Sequence, residues 1–127
     1  MQIQNFDQFA MELNEFEKLA AAAVEELPQN IKDALKNVAI VVEDGPAKRN
    51  LLGLYEGIPE NQWGKSDAIR LPDKITIFKS LIEEEARTPE EIKELVRVVV
   101  WHEIAHHFGF DEPQTRRLER RWRARKP

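Results

Sequence analysis

All three histidines of the chain fall in one short stretch, Trp101-His102-Glu103-Ile104-Ala105-His106-His107-Phe108-Gly109-Phe110-Asp111-Glu112. His102 and His106 are four residues apart, so on an α-helix they lie about 40° apart around the axis and one turn apart along it. Two imidazoles in that relation can reach one tetrahedral metal ion. Glu103, about 100° further round, is placed to hold a water at the ion without ligating it. The chemistry open to such a set is metal-assisted hydrolysis. His107 points about 100° away from His106, which suits a surface or supporting position better than a ligand.

The pattern is H-E-x-x-H, the helical signature of zinc metalloproteases, and it also occurs by chance in unrelated proteins. The residues before it argue for a helix. Thr88-Pro89-Glu90-Glu91 reads as a helix start, with Thr88 as N-cap, Pro89 at the first helical position and Glu91 completing a capping box. Ile92, Leu95, Val96 and Val99 recur at helical spacing, and the face they define runs on into His102, Glu103 and His106 as its only polar members. Polar groups on a buried face need partners, and a metal ion would serve. Gly109 can adopt positive φ, ending the helix and turning the chain so that a third ligand returns to the metal.

The elements that must position this helix are limited by length and composition. A chain of 127 residues builds one compact domain, taken here as 1–127. There is no cysteine, so disulfides and thiolate metal sites are excluded and a metal must be held by nitrogen and oxygen. No basic leader with an apolar run and no membrane-length segment occurs, so a soluble, cytoplasmic protein without membrane contact is expected. The formal charge of −4 argues against a general nucleic-acid binder. The basic end, Arg116, Arg117, Arg120, Arg121, Arg123, Arg125 and Lys126, carries no nucleic-acid motif and reads as a solvated helix face, with binding of an acidic partner or phosphate backbone as the rival reading.

In chain order, the spacing of Phe6, Phe9, Leu13, Phe16, Leu19, Ala20, Ala23, Val24 and Leu27 predicts an amphipathic helix from Asn5 or Asp7 to about Leu27, closed by Pro28. Gln29 to Lys36 suits a short second helix. The nearly continuous apolar run Val38 to Glu43 predicts a central strand covered on both faces. Leu51 to Ile58 is a weaker strand, whose two glycines mark a bulge or a close backbone approach. Tyr55 within it is read as packing rather than serving the site. Pro59 to Asp73 lacks periodicity and suits a loop forming a lid or cleft wall, with disorder as the rival reading.

Lys74 to Lys79 alternates polar with apolar residues, and its terminal lysines suit a sheet edge. Such an edge beside a metal could pair with an extended peptide, or the lysines could simply deter aggregation. Ser80 to Arg87 is expected to be helical or turn-like. From Pro113 a terminal helix carries Leu118 and Trp122 four residues apart on its inner side.

Taken together, Val41-Val42-Glu43-Asp44, Gly53-Leu54-Tyr55-Glu56-Gly57, Leu71-Pro72-Asp73-Lys74-Ile75-Thr76-Ile77-Phe78 and His102-Glu103-Ile104-Ala105-His106-His107-Phe108-Gly109 resemble the small bacterial zincin-like metallopeptidases, the minimal zincins. The resemblance covers nearly the whole chain. It implies an α+β fold, a small mixed sheet packed against helices that include the H-E-x-x-H helix. It also implies a zinc ion, Zn2+, held by His102, His106 and an acidic residue after Gly109. The family's acidic ligand is typically an aspartate three residues after the glycine, a position held here by Glu112, with Asp111 as the alternative. Pro113 pushes the residue before it towards an extended conformation, which favours Glu112 outside the terminal helix, while Asp111 could cap that helix with Gln114. The longer metzincin pattern is not met, because the chain lacks its final histidine and Met-turn.

The expected activity is hydrolysis of a peptide or protein substrate by a zinc-bound water, with Glu103 as general base and then proton donor. The alternative is a metal-stabilised binding or adaptor domain without turnover. The short segment after Glu112 leaves little to wall a cleft, so a protein partner or a second copy completing it is also an expectation.

Overall fold

The computed structural model describes residues 11–45, 50–57 and 72–124, with side chains up to residue 121. Among these residues, five helices and three strands follow in the order α1 (Leu13–Glu25), α2 (Gln29–Ala34), β1 (Val38–Glu43), β2 (Gly53–Glu56), β3 (Asp73–Phe78), α3 (Lys79–Glu85), α4 (Pro89–His107) and α5 (Glu112–Ala124). Phe6, Phe9 and the lid candidate between Pro59 and Leu71 lie outside the described residues.

The sheet has the order β1-β3-β2. β1 runs parallel to β3, in register from Val38 opposite Asp73 to Glu43 opposite Phe78, and β2 is antiparallel to β3, Gly53 opposite Ile77. The sheet is therefore small and mixed, and the chain is α+β, as expected.

Two strand expectations are corrected. β1 lies at an edge of the described sheet instead of its centre, and its residues alternate between half-buried and exposed. Val38, Ile40 and Val42 turn towards α1, while Val41 points outwards and is 38% exposed. The Lys74–Lys79 segment is the central strand, not an edge, with Asp73, Ile75, Thr76 and Ile77 all buried. Its last lysine was misleading. Lys79 begins α3 and is itself buried, its ammonium 3.4 Å from Asp44 and 3.1 Å from Glu83.

The core forms where α1 and α4 meet over β3. Phe16, Ala20 and Ala23 from the first helix, and Leu27 just after it, pack with Ile75 and Ile77 and with Ile92, Val96, Val99, Val100, Trp101 and Ile104. Two alanines on α1 keep that helix near α4, and the Trp101 indole N–H donates to the Ala23 carbonyl at 2.8 Å. This satisfies the one polar atom of a side chain otherwise buried for its apolar area. The buried surface of α4 is not apolar throughout its first turns, because Arg97 is buried too, paired with Glu26 at 2.6 Å and with Glu94. Such a cation is tolerated only with partners of this kind.

Both ends of α4 are set locally. The Thr88 side chain accepts the Glu91 amide at 3.1 Å, with Pro89 at the first helical position. The Glu91 carboxylate reaches back one residue beyond the N-cap, to the Arg87 amide at 2.8 Å. At the other end Gly109 has φ 83°. The Phe110 amide bonds to the Ala105 carbonyl at 3.1 Å and the Gly109 amide to His106 at 2.9 Å. This is the Schellman closure that a positive-φ glycine permits. The chain reverses there and enters α5, whose Thr115 is fully buried and whose Leu118 is partly buried against the core.

Candidate metal centre

The reversal at Gly109 brings α5 against the last two turns of α4, and with it three donor atoms. His102 Nε2 and His106 Nε2 are 3.1 Å apart. Glu112 Oε2 is 3.3 Å from each of them. Metal bonds of about 2.0–2.2 Å to a tetrahedral ion set neighbouring donor atoms about 3.3–3.6 Å apart, so the triangle is close to the size such an ion requires. Two neutral imidazoles and one carboxylate also form a donor set suited to zinc. Among the described residues these three are the group that could hold a metal ion.

Asp111 is placed differently. Its carboxylate accepts the Gln114 amide at 2.8 Å, and the Gln114 side chain accepts the Asp111 amide at 2.9 Å. Both halves of a capping box are thus made. Glu112 is consequently the first residue of α5 and not a residue outside it. Pro113 costs nothing there, since the first amides of a helix have no partner within it.

Glu103 is buried beside the two imidazoles. Burial pushes its carboxyl above the usual carboxylate value; His106 and His102 pull it down, Glu112 raises it, and a hydrogen bond from the Tyr55 backbone lowers it. That amide is the contribution of β2. The strand can lie so close because its first residue is Gly53, where a Cβ would collide with Val99 Cγ1 and stand 3.3 Å from Glu103 Cγ. The close backbone approach expected of this strand is therefore made against the H-E-x-x-H helix.

His107 is not at the surface. It is fully buried, and its Nδ1–H donates to Asp73 Oδ2 at 2.8 Å. The Tyr55 hydroxyl donates to the same oxygen at 2.6 Å. Tyr55 thus serves the site indirectly, with its main chain on Glu103 and its side chain on the carboxylate that anchors the end of α4 to β3.

His102 has a second contact. Its Nδ1 is 3.2 Å from Glu119 Oε2. This hydrogen bond is the first cause of a His102 pKa above its usual value; burial opposes it, and the charges of Glu103, Glu119 and Glu112 add to it. Glu119 plays no part in the reading of the sequence, and Asp73 enters it only as the end of the Pro59 to Asp73 loop and inside the Leu71–Phe78 stretch that carries the resemblance. Glu119 had a usable signal, standing seven residues after Glu112 and so on the same face of a helix. The partners of Asp73, His107 and Tyr55, could not be read, because they come from distant segments.

No helix among the described residues is long and apolar enough to cross a membrane. A search of curated proteins finds no match to the chain. The sequence profile described as zincin-like metallopeptidase matches residues 35–122, which takes in all three strands, the H-E-x-x-H helix and most of α5. With more than half of its length matched in this way, the chain belongs to the zincin-like metallopeptidase family.

Proposed function

We propose that the protein is a zinc-dependent peptidase in which His102, His106 and Glu112 hold the ion and Glu103 is the general base. The observation that carries this reading is the triangle of His102 Nε2, His106 Nε2 and Glu112 Oε2, with sides of 3.1, 3.3 and 3.3 Å, beside a buried carboxylate. Zinc, when bound, polarises a peptide carbonyl and makes water a stronger acid. Glu103 takes the proton of the attacking water as the new C–O bond forms, and passes it to the amine nitrogen as the C–N bond breaks. Burial favours this role, because a carboxylate raised above its usual value is a stronger base. The Tyr55 amide keeps the side chain directed at the site.

Of the two edges of the described sheet, β1 and β2, the one beside the site that an extended peptide could join is β2. β2 already touches Glu103 through Gly53 and Tyr55. A substrate strand added there would pass the base with its main chain in register.

Metal analysis of the purified chain, followed by incubation with an unbiased peptide pool, tests the reading. About one zinc per chain and cleavage of pool members that stops on chelation are expected. A chain that takes up no zinc would overturn the assignment. A zinc-loaded chain that leaves the pool intact would favour the binding or adaptor alternative.

A further inference from the structure

We infer that Glu119 is a positioning residue of the metal centre, holding the His102 ring so that Nε2 faces His106 and Glu112. The inference rests on the metal-site reading above. An ionised carboxylate can only accept, so with Nε2 given to the ion the 3.2 Å contact between Glu119 Oε2 and His102 Nδ1 would be a hydrogen bond donated by Nδ1–H. That bond would keep the Nε2 lone pair directed at the ion, since the ring cannot turn over without breaking it.

The origin of Glu119 strengthens the argument. It follows Glu112 by seven residues, two turns along α5 and about 20° around it. One helix face therefore sends a carboxylate to each nitrogen of the same imidazole, Glu112 to Nε2 at 3.3 Å and Glu119 to Nδ1. Thr115, between them on that face, is fully buried, so this side of α5 is the docked one. The Glu119 side chain is only 13% exposed, while Arg116, Arg117, Arg120 and Arg121 of the same helix are exposed. A glutamate serving only solubility would sit among the arginines.

The test compares the full-length wild type with Glu119→Ala and Glu119→Gln. Zinc affinity is measured by competition with a chromophoric chelator at fixed pH, and exchange of the His102 Nδ1 proton by NMR of the zinc-loaded, histidine-labelled protein. Glu119→Ala should bind zinc about 10–100-fold more weakly, the usual cost of losing such a support. Its Nδ1 proton should exchange faster with water. Glu119→Gln, whose amide oxygen still accepts, should recover most of the affinity, which a general loss of folding would not allow. Wild-type affinity and proton exchange in Glu119→Ala would overturn the inference while leaving the metal site standing. Equal losses in Ala and Gln variants would overturn the hydrogen-bond account. A wild type that binds no zinc would overturn both this inference and the reading on which it rests.

Discussion

Glu103 is the side chain whose replacement should separate holding the metal from using it. Its surroundings are two imidazoles and a strand amide, and glutamine keeps the size and much of the hydrogen bonding while removing the base. Glu103→Gln is expected to retain zinc and to lose hydrolysis by about 100-fold or more, the range for a general base. Metal content and peptide turnover measured on one preparation decide it; turnover equal to wild type would move the proton transfer elsewhere. Asp111 and Glu112 are adjacent and should behave oppositely. Asp111→Ala removes a helix cap and should cost about 1 kcal/mol in chemical denaturation with zinc affinity little changed. Glu112→Ala removes the carboxylate that faces both imidazoles and should weaken zinc binding strongly. Reversed affinities in a chelator competition would exchange the two assignments.

β2 and α4 form the pair of elements on which the orientation of Glu103 depends, and Gly53 is their point of closest approach. Gly53→Ala should destabilise the fold by about 1–3 kcal/mol, as overpacking does, because the added carbon meets Val99 Cγ1. Shortening the partner should relieve it. In denaturant melts, Gly53→Ala with Val99→Ala should lose less than the sum of the two single changes, and simple additivity would refute the contact as the cause. This scale also shows what the sequence could reveal. The bounds of α4 were legible because Thr88, Pro89 and Gly109 act through their own backbone neighbours. Sheet order was not, because it depends on distant partners. Lys79 resembles an edge lysine until Asp44 and Glu83 are seen around its ammonium. Likewise, the run Val38 to Glu43 reads as fully covered, although Ala39 and Val41 face outwards at an edge. The spacing of His102 and His106 was legible because both lie on one helix, whereas Glu112 rested on the resemblance, with Asp111 as the alternative, and its place as the first residue of α5 depends on the cap that Asp111 makes.

For the molecule as a whole, zinc would tie α5 to α4 through Glu112 and so stabilise the folded chain. A free zinc concentration of 100 times Kd should add about 2.7 kcal/mol if the unfolded chain binds none. Scanning calorimetry with zinc and then with excess chelator measures it, and identical melts would count against a site that joins the two helices. The three donor atoms belong to residues 102–112, whereas the group that steadies Glu103 is the backbone of Tyr55, on a strand that must first find β3. Ion capture is thus a short-range event, and alignment of the base a long-range one. Short-range contacts form earlier in folding. A refolding chain should therefore regain zinc before it regains turnover, and stopped-flow refolding with a zinc indicator and a fluorogenic peptide would separate the two moments. Their simultaneous recovery would show that the ligands wait for the sheet. In this chain the metal would arrive before the enzyme does.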